Sequence, residues 1–538
     1  MPEVREGREV APPWTLALAG GVAFAAGYPP RPAWPLTFAG VALGLAALLR
    51  AGGRRETVAC AVLTKAAAVV PALSYLSGVS PLAHALVASV FLAVWTLLGL
   101  AFWELKRAGG RAAALGAFPF LWTLAEWTAN DLHFLPSHII SWWDALAEPG
   151  LALAPYTGLY GVTFLAACGV ALATTAREWR RGSAAGRRTL LRCCAPWAPA
   201  ALAPLVLAAT LERRAPEART LRVAAAGLAA NDSLEEHLES GEWTPERRAG
   251  VLAHIDRRMG ELDALLAGER PDLLVLPEDA IDFTLRRSRS EEAYRLWGVE
   301  NNGALLDAYR ALARKAGVDL AAGMTTVRAG ARRNSVVVFG RDGSLAGLRD
   351  KYYLTPGSER WPLGRWLPVW LAFAGDPKFA EHDMQYVPAE EPFPLLRAGG
   401  WSLGAAICLE GQMPSAYRAF KRAGADAIVY LSNAHWFRAD PGGYNAQVLR
   451  MVRLAAAAYG LPVVLTGKAG YVGQVDERGR ASVWPAFGPG SREQLRFATV
   501  AAASRSETVP SRYGEYYALL SALGLAFCFA TARVSASA

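Results

Sequence analysis

Apolar positions along the chain fall into two regimes. Before about residue 211 and after about residue 514 they form unbroken runs, whereas between those limits they come as short bursts separated by amphipathic stretches. A hydrocarbon layer about 30 Å thick is crossed by about 20 apolar residues of helix. Runs close to that length lie at about 11–30, 33–50, 57–77, 82–103, 112–129, 151–176 and 193–210, and a last one at about 515–532. The pattern predicts seven membrane spans, a soluble insert and a final span. A second span follows the first almost at once with no clear small-residue cleavage site, so the first run is expected to be a retained helix.

The loops give an orientation. With the N-terminus in the cytoplasm, the Arg/Lys-rich segments near 50–56, 104–111 and 177–192 all lie inside, while those near 78–81 and 130–150, which contain no Lys or Arg, lie outside. Seven crossings then place residues 212–512 on the outer face, and the last span returns the C-terminus to the cytoplasm. The expected division is therefore 1–211 (helical bundle), 212–512 (soluble domain) and 513–538 (final helix and tail). Lys65 and Glu126 fall inside spans, where ionisable groups are costly. Each is within reach of a helix end, where a side chain can snorkel to the interface; that is the expectation for Lys65, and for Glu126, in the aromatic stretch Phe118–Trp127, it is one of two equal readings. The alternative is a functional role within the bundle.

In the soluble stretch, short buried runs predict strands at Leu221–Leu228, Leu273–Leu276, Asp319–Gly323, Ser335–Phe339, Leu403–Cys408, Ala427–Leu431 and Pro462–Thr466. Helical periodicity marks Pro245–Ala267, Ala304–Ala316, Pro414–Ala423 and Tyr444–Tyr459. Strands alternating with helices imply an α/β layered domain. The segment 355–397, rich in Trp and Pro, fits no period and reads as long loops of the lid kind.

Composition agrees: 53% of residues are hydrophobic and only 19% charged, too apolar for a wholly soluble chain of this size. The net charge of +9 resides largely in the short inter-span segments and not on one soluble face, which argues against nucleic-acid binding. Arg286, Arg287 and Arg289 read as a solvated helix face that could also meet lipid phosphates. No close-spaced His/Cys/Asp cluster of the zinc kind and no Gly-Lys-Ser/Thr phosphate loop occurs, so neither a metal nor a cofactor is expected.

Of six cysteines, Cys60, Cys168, Cys193, Cys194 and Cys528 lie in or at the apolar runs, and Cys408 alone lies in the soluble domain. A lone thiol outside the cytoplasm is either hidden in a core or used. Its neighbours favour use. Leu-Pro-Glu at 276–278 is a buried strand ending in a carboxylate, Asp-Lys at 350–351 sets a lysine before a turn, and Ala-Ala-Ile-Cys at 405–408 is a buried strand ending in the thiol. Strand C-termini in α/β sheets converge on one edge. There a carboxylate in apolar surroundings can act as base for the thiol, and a lysine can stabilise thiolate and oxyanion.

Glu278, Lys351 and Cys408 resemble the Glu-Lys-Cys triad of the nitrilase (carbon–nitrogen hydrolase) superfamily. The surrounding spans make the whole chain similar to the family of apolipoprotein N-acyltransferases. Further matches are Phe118-Pro119, Trp122 and Glu126, the Gly158–Phe164 stretch, Pro356, Glu359, Glu410, Ser432-Asn433, Trp436 and Arg453. The resemblance implies an α/β nitrilase-like αββα sandwich inserted in an all-α transmembrane bundle of about eight helices, seven before and one after. It implies an acyl chain moved from a phospholipid, through a Cys408 thioester, to the N-terminal amine of diacylglyceryl-cysteine lipoproteins. Glu359 and Glu410 would support the triad, and Asn433 and Trp436 would contact substrate. The setting implied is the bacterial cytoplasmic membrane, with a monomer as the working unit. The chain departs from the family's usual pattern at Leu409 (usually Tyr), at Ser-Asn-Ala-His-Trp-Phe-Arg (432–438) and at Lys468-Ala469-Gly470, and it lacks the Gln and Asn expected within 223–231. Another amine acceptor or water is thus a competing reading, and a non-catalytic membrane scaffold is a third. His435 reads as a hydrogen-bonding or surface residue.

Overall fold

The computed structural model describes residues 11–28, 33–78, 81–131, 141–181, 183–211, 219–228, 245–281, 303–328, 331–355, 359–360, 386–437, 441–487 and 493–537. The three arginines at 286, 287 and 289 and most of the 355–397 segment lie outside the described residues.

Apolar runs in hydrocarbon must satisfy their own backbone polar groups, which favours helices. The N-terminal region forms α1 (Pro13–Gly27), α2 (Pro35–Arg50), α3 (Arg54–Ala72), α4 (Pro81–Asp131), α5 (Ala154–Arg181), α6 (Ala184–Cys194) and α7 (Trp197–Ala208). The long α4 is broken at Gly109 and Gly110, the latter at φ 71°, so it is two helices meeting where a loop near 104–111 was expected. The Arg-rich segment 177–192 is likewise helical at both ends. Close packing depends on small residues: a Cβ on Gly20 would lie 2.7 Å from the Gly40 carbonyl oxygen, and one on Gly40 would lie 2.6 Å from that of Gly20.

Lys65 and Glu126 do not snorkel. Lys65 is 2% exposed, with its ammonium 3.9 Å from the centroid of the Trp95 ring. Glu126 is 1% exposed and accepts from Trp122 Nε1, the Trp142 backbone N–H and Thr163 Oγ1 at 3.0, 2.8 and 2.8 Å. It is held deep in the bundle and ties the connection after α4 to both α4 and α5.

The soluble domain contains β1 (Thr220–Leu228), α8 (Pro245–Leu266), β2 (Leu273–Leu276), α9 (Ala304–Ala316), β3 (Asp319–Arg328), β4 (Ala331–Phe339), β5 (Leu345–Asp350), β6 (Leu396–Ala398) and β7 (Trp401–Ile407). There follow α10 (Pro414–Ala423), β8 (Ala427–Asn433), α11 (Pro441–Tyr459), β9 (Val463–Lys468), β10 (Tyr471–Val475), β11 (Ala481–Pro485), β12 (Gln494–Ala501) and α12 (Val509–Tyr513). The strand order is β5-β4-β3-β2-β1-β9-β8-β7-β6. Among the described residues its halves join through Gly227 with Gly467 and Leu228 with Lys468, and there the sheet folds back on itself.

Alternation along the strands shows the layering, because successive side chains face opposite sides. Leu221, Val223 and Ala225 of β1 share one core with Ala405 and Ile407 of β7 and Val429 and Leu431 of β8. Ala224, Ala226 and Leu228 face the other way, against Val251 and Ile255 of α8 and Leu305 and Tyr309 of α9. Ile428 and Tyr430 pack outward with Tyr417 of α10 and Val452 of α11. The architecture is helix, sheet, sheet, helix: an αββα sandwich. The chain then leaves through α13 (Tyr516–Ser537), whose Gly524 abuts Phe120 of α4.

Four helical stretches among the described residues are long and apolar enough to cross a bilayer, by length and composition: His84–Asn130, Ala154–Arg180, Gly186–Ala208 and Tyr516–Arg533. The apolar α1 and α2 are shorter. Leu97, Leu205, Val206, Leu519 and Leu523 are each at least 59% exposed, an apolar belt fit to face lipid. The sandwich is fastened to the helices through α11. Gln447 donates to the Ala72 carbonyl at 3.1 Å and accepts from Tyr75 Oη at 3.2 Å, Arg453 pairs with Glu148, and Tyr459 Oη donates to Glu515 at 2.6 Å.

Candidate active site at the strand ends

Strands β2, β5, β7 and β8 end on one edge and bring Glu278, Lys351, Cys408 and Asn433 together. Pro277-Glu278 leaves β2 across Gly323 of β3, where a Cβ would lie 2.6 Å from the Glu278 Cα; only glycine allows that passage. Lys351 follows β5, its N–H bonded to the Asn334 carbonyl at 2.7 Å. The sequence pattern ran β7 through Cys408, but the strand ends at Ile407 and Cys408 opens a short 3-10 turn, Cys408–Gln412. Its φ of 48° is a left-handed conformation that non-glycine residues adopt at a cost. The bend turns the thiol out of the sheet onto the edge.

The charged groups are nearly dry. Glu278 is 5%, Lys351 1% and Glu359 7% exposed, while Cys408 is partly exposed. The Lys351 ammonium lies 2.8 Å from Glu359 Oε2 and 3.5 Å from Glu278 Oε1. Asn334 Nδ2 donates to both Glu278 Oε1 and Glu359 Oε1, each at 2.7 Å. Glu278 Oε2 accepts the Asn433 backbone N–H at 3.1 Å, and its charge acts on the Cys408 thiol against that of Lys351. One carboxylate thus meets the lysine and the end of β8 and bears electrostatically on the thiol.

Electrostatics assign distinct protonation tendencies. Burial raises Glu278 to about 7, against the opposing pull of Lys351. Burial also acts on Lys351, but Glu359, Glu278 and Cys408 outweigh it and hold the ammonium charged well above its usual range. Burial works to raise Glu359, yet the charge and hydrogen bond of Lys351 keep this carboxyl below its ordinary value. The Cys408 thiol is pushed up by burial and by Glu278, with Lys351 opposing. The site therefore holds a neutral thiol beside a base that titrates near neutrality, not a resting thiolate. Proton transfer must accompany attack.

Glu410 is fully buried and accepts the Ile407, Tyr352 and Tyr353 backbone N–H groups at 3.0, 2.7 and 3.2 Å. Arg349, also fully buried, forms a bidentate pair with it at 2.7 and 2.8 Å and donates to the Ala405 carbonyl. Lys351 precedes Tyr352 and Cys408 follows Ile407, so this one pair clamps both segments. Trp436 lies in the one-turn helix His435–Phe437, beside Phe437, which meets Tyr75 of the helical region edge-on at 5.4 Å between centroids. Arg453 is drawn to Glu148 and the Gly479 carbonyl, away from the triad. His435 is buried, 3% exposed, and not a surface group. Arg349 and Asn334 escaped the sequence reading. An arginine inside Leu345–Asp350, two residues before the lysine, was a usable signal; for Asn334 nothing in one sequence marks it.

Comparison with known proteins bears on both halves. The carbon-nitrogen hydrolase pattern matches residues 222–489, and that of the apolipoprotein N-acyltransferase N-terminal domain matches residues 20–172. The chain belongs to the apolipoprotein N-acyltransferase family. An apolipoprotein N-acyltransferase of Azotobacter vinelandii is 29% identical over 414 residues, 74% of this chain and 71% of that protein. One of Geobacter metallireducens is 26% identical over 428 residues, 77% of this chain and 74% of that protein. Among solved structures, a carbon-nitrogen hydrolase of Helicobacter pylori shares 20% identity and a TM-score of 0.37 over 52% of this chain and 89% of its own. The two matched patterns together span the N-terminal helices and the sandwich of this one chain.

Proposed function

We propose that this protein is a membrane N-acyltransferase that moves an acyl chain from a phospholipid, by way of Cys408, to the N-terminal amine of a diacylglyceryl-cysteine lipoprotein. The observation that carries this reading is the convergence at the strand ends of Cys408 with the buried Glu278 and the Lys351 ammonium, on a domain fastened to apolar helices. Family membership of both halves supports it.

In the first half-reaction Glu278 takes the thiol proton as sulfur attacks the ester carbonyl. Lys351 and backbone N–H groups hold the developing oxyanion. Collapse breaks the C–O bond, the lysophospholipid alkoxide takes the proton from Glu278, and a thioester remains. In the second, Glu278 accepts a proton from the incoming amine, the amide bond forms, and the departing thiolate is reprotonated. Two moderate barriers replace one high barrier. Glu359 positions Lys351, and Arg349 with Glu410 positions both lysine and thiol. Asn433, through its N–H, orients Glu278, and Trp436 meets substrate where the sandwich adjoins the helices.

Residues 1–211 serve as the membrane bundle, 212–512 as the catalytic domain on the outer face of the bacterial cytoplasmic membrane, and 513–538 as the final helix and tail, in a monomer. The acyl chain enters sideways from the bilayer. The test is two-step transfer. Purified protein is loaded from labelled phospholipid until Cys408 carries a hydroxylamine-sensitive label, and a diacylglyceryl-cysteine peptide is added. Label is expected on the peptide amine; label that stays on the enzyme, or passes only to water, contradicts the assigned acceptor.

A further inference from the structure

The mechanism leaves unused a basic depression at the C-terminal end of α10, whose N-terminal end adjoins the site. It has a volume of about 380 Å³ and is lined by Lys421, Arg422, Arg505 and Arg512, with Glu507 as its one acid, together with Ser504 and Ser511. Three of the cations are fixed by the protein. Lys421 Nζ donates to the Gly460 and Ser504 carbonyls at 3.1 and 2.6 Å. Arg505 donates to the Gly424 carbonyl and to the buried Asp426, each at 2.8 Å. Arg512 pairs with Glu507 at 3.0 Å. Arg422 is exposed and makes no hydrogen bond or ion pair among the described residues.

Its position decides what it can meet. Arg512 lies in α12, four residues before α13 begins at Tyr516. Tyr513 Oη is 2.7 Å from Thr210 Oγ1, just past the end of α7, and Tyr516 Oη donates to the Tyr156 carbonyl at 2.9 Å. Tyrosines at this level mark the boundary between hydrocarbon and water. Immediately beyond them, Leu519 and Leu523 of α13 are 64% and 59% exposed, and Leu519 is about one helical turn, roughly 5 Å, below Tyr516. A lipid whose tail lay along that face would bring its phosphate to the height of the four cations. Burial and Arg505 together press Lys421 down to about 8, a strain that a bound anion relieves.

We propose that this pocket binds the phosphodiester of an anionic phospholipid, as a second lipid site distinct from the donor site at Cys408. The proposal rests on the reading that α13 crosses the membrane, and not on the thioester chemistry. Its seat on α10 also matters for the fold, since α10 begins at Pro414, directly after the turn that carries Cys408, and Tyr417 Oη donates to the Gly411 carbonyl at 2.9 Å.

The test uses the full chain in nanodiscs and in detergent. Wild type and the double variant Arg422→Gln/Arg512→Gln are compared for retained phosphatidylglycerol by native mass spectrometry. The same pair is compared for thermal protection by phosphatidylglycerol against phosphatidylcholine. A basic side chain near an anionic lipid surface contributes about a fivefold preference, so the double variant should retain roughly 25-fold less acidic lipid. Its thioester formation on Cys408 should be unchanged. Glu507→Gln, which removes the one acid, should increase retention. Equal retention by wild type and double variant overturns the proposal. Inorganic phosphate protecting wild type as well as phosphatidylglycerol does overturns the lipid assignment, because tail contact would then add nothing. Failure of the wild type to insert into nanodiscs sinks the placement of α13 itself. Loss of the thioester with acidic-lipid retention intact instead contradicts the catalytic reading alone.

Discussion

Replacing Arg349 by Met removes both charged bonds to Glu410, at 2.7 and 2.8 Å, while leaving a side chain of similar length. Both partners are fully buried, and breaking one half of a buried pair costs about 3–5 kcal/mol because the remaining charge has no compensation. Glu410 retains three backbone donors, so the lower end, about 3 kcal/mol, is expected. Those backbone bonds hold Ile407 and Tyr352 beside the thiol and the lysine, and a shift on the order of 1 Å there lowers the rate about a hundredfold. The assay is a double-mutant cycle: Arg349→Met, Glu410→Gln and the pair, each measured for thermal midpoint and for the rate of thioester formation on Cys408. The double variant should be less impaired than the singles combined, with a coupling of about 2 kcal/mol. Additivity within about 0.5 kcal/mol, or a wild-type rate in Arg349→Met, would refute the clamp.

On the proposed mechanism thioester formation needs Glu278 as carboxylate, and burial raises that group to about 7. Initial rates should therefore climb about tenfold per pH unit below neutrality and level off above it, whereas a profile flat from pH 5 to 9, a range given as about two units either side, contradicts the assignment. Asn334→Leu removes a hydrogen bond that lowers the Glu278 pKa, so its profile should move to higher pH; an unmoved or acid-shifted profile counts against it. Lys351→Met should cut the rate by about 10²–10³ if the ammonium holds the oxyanion, with little change in apparent lipid affinity, and a loss under tenfold would remove it from that role. Gly20→Val must part α1 from α2, since even a Cβ would be 2.7 Å from the Gly40 carbonyl. Overpacking of this kind costs about 1–3 kcal/mol, read as a lowered unfolding midpoint.

Much of the fold was legible because burial writes itself into periodicity. The strands at Leu273–Leu276 and Ala427–Asn433 are buried on both faces and read as continuous apolar runs. β12 has a single buried residue and β6 has three residues, so neither leaves a pattern. The long helix Pro81–Asp131 hides its break in Gly109-Gly110, which sequence shows only as a basic interruption. Lys65 was misread, and Glu126 stayed open, because proximity to a helix end is local, while the aromatic ring of Trp95 and the donors around Glu126 come from other segments. At the site, the residue types and order of Glu278, Lys351 and Cys408 were visible. Arg349 and Asn334 were not: each acts through partners far along the chain, Glu410 for one and Glu278 for the other.

The central claim is that Cys408 carries the acyl chain. Intact mass spectrometry of the purified enzyme after incubation with phospholipid, without acceptor, tests it most directly. Wild type should gain one acyl mass, removable by hydroxylamine and mapping to the peptide that contains Cys408, while Cys408→Ala and Glu278→Gln gain none. An adduct on another residue, or the same adduct in Cys408→Ala, would contradict the account.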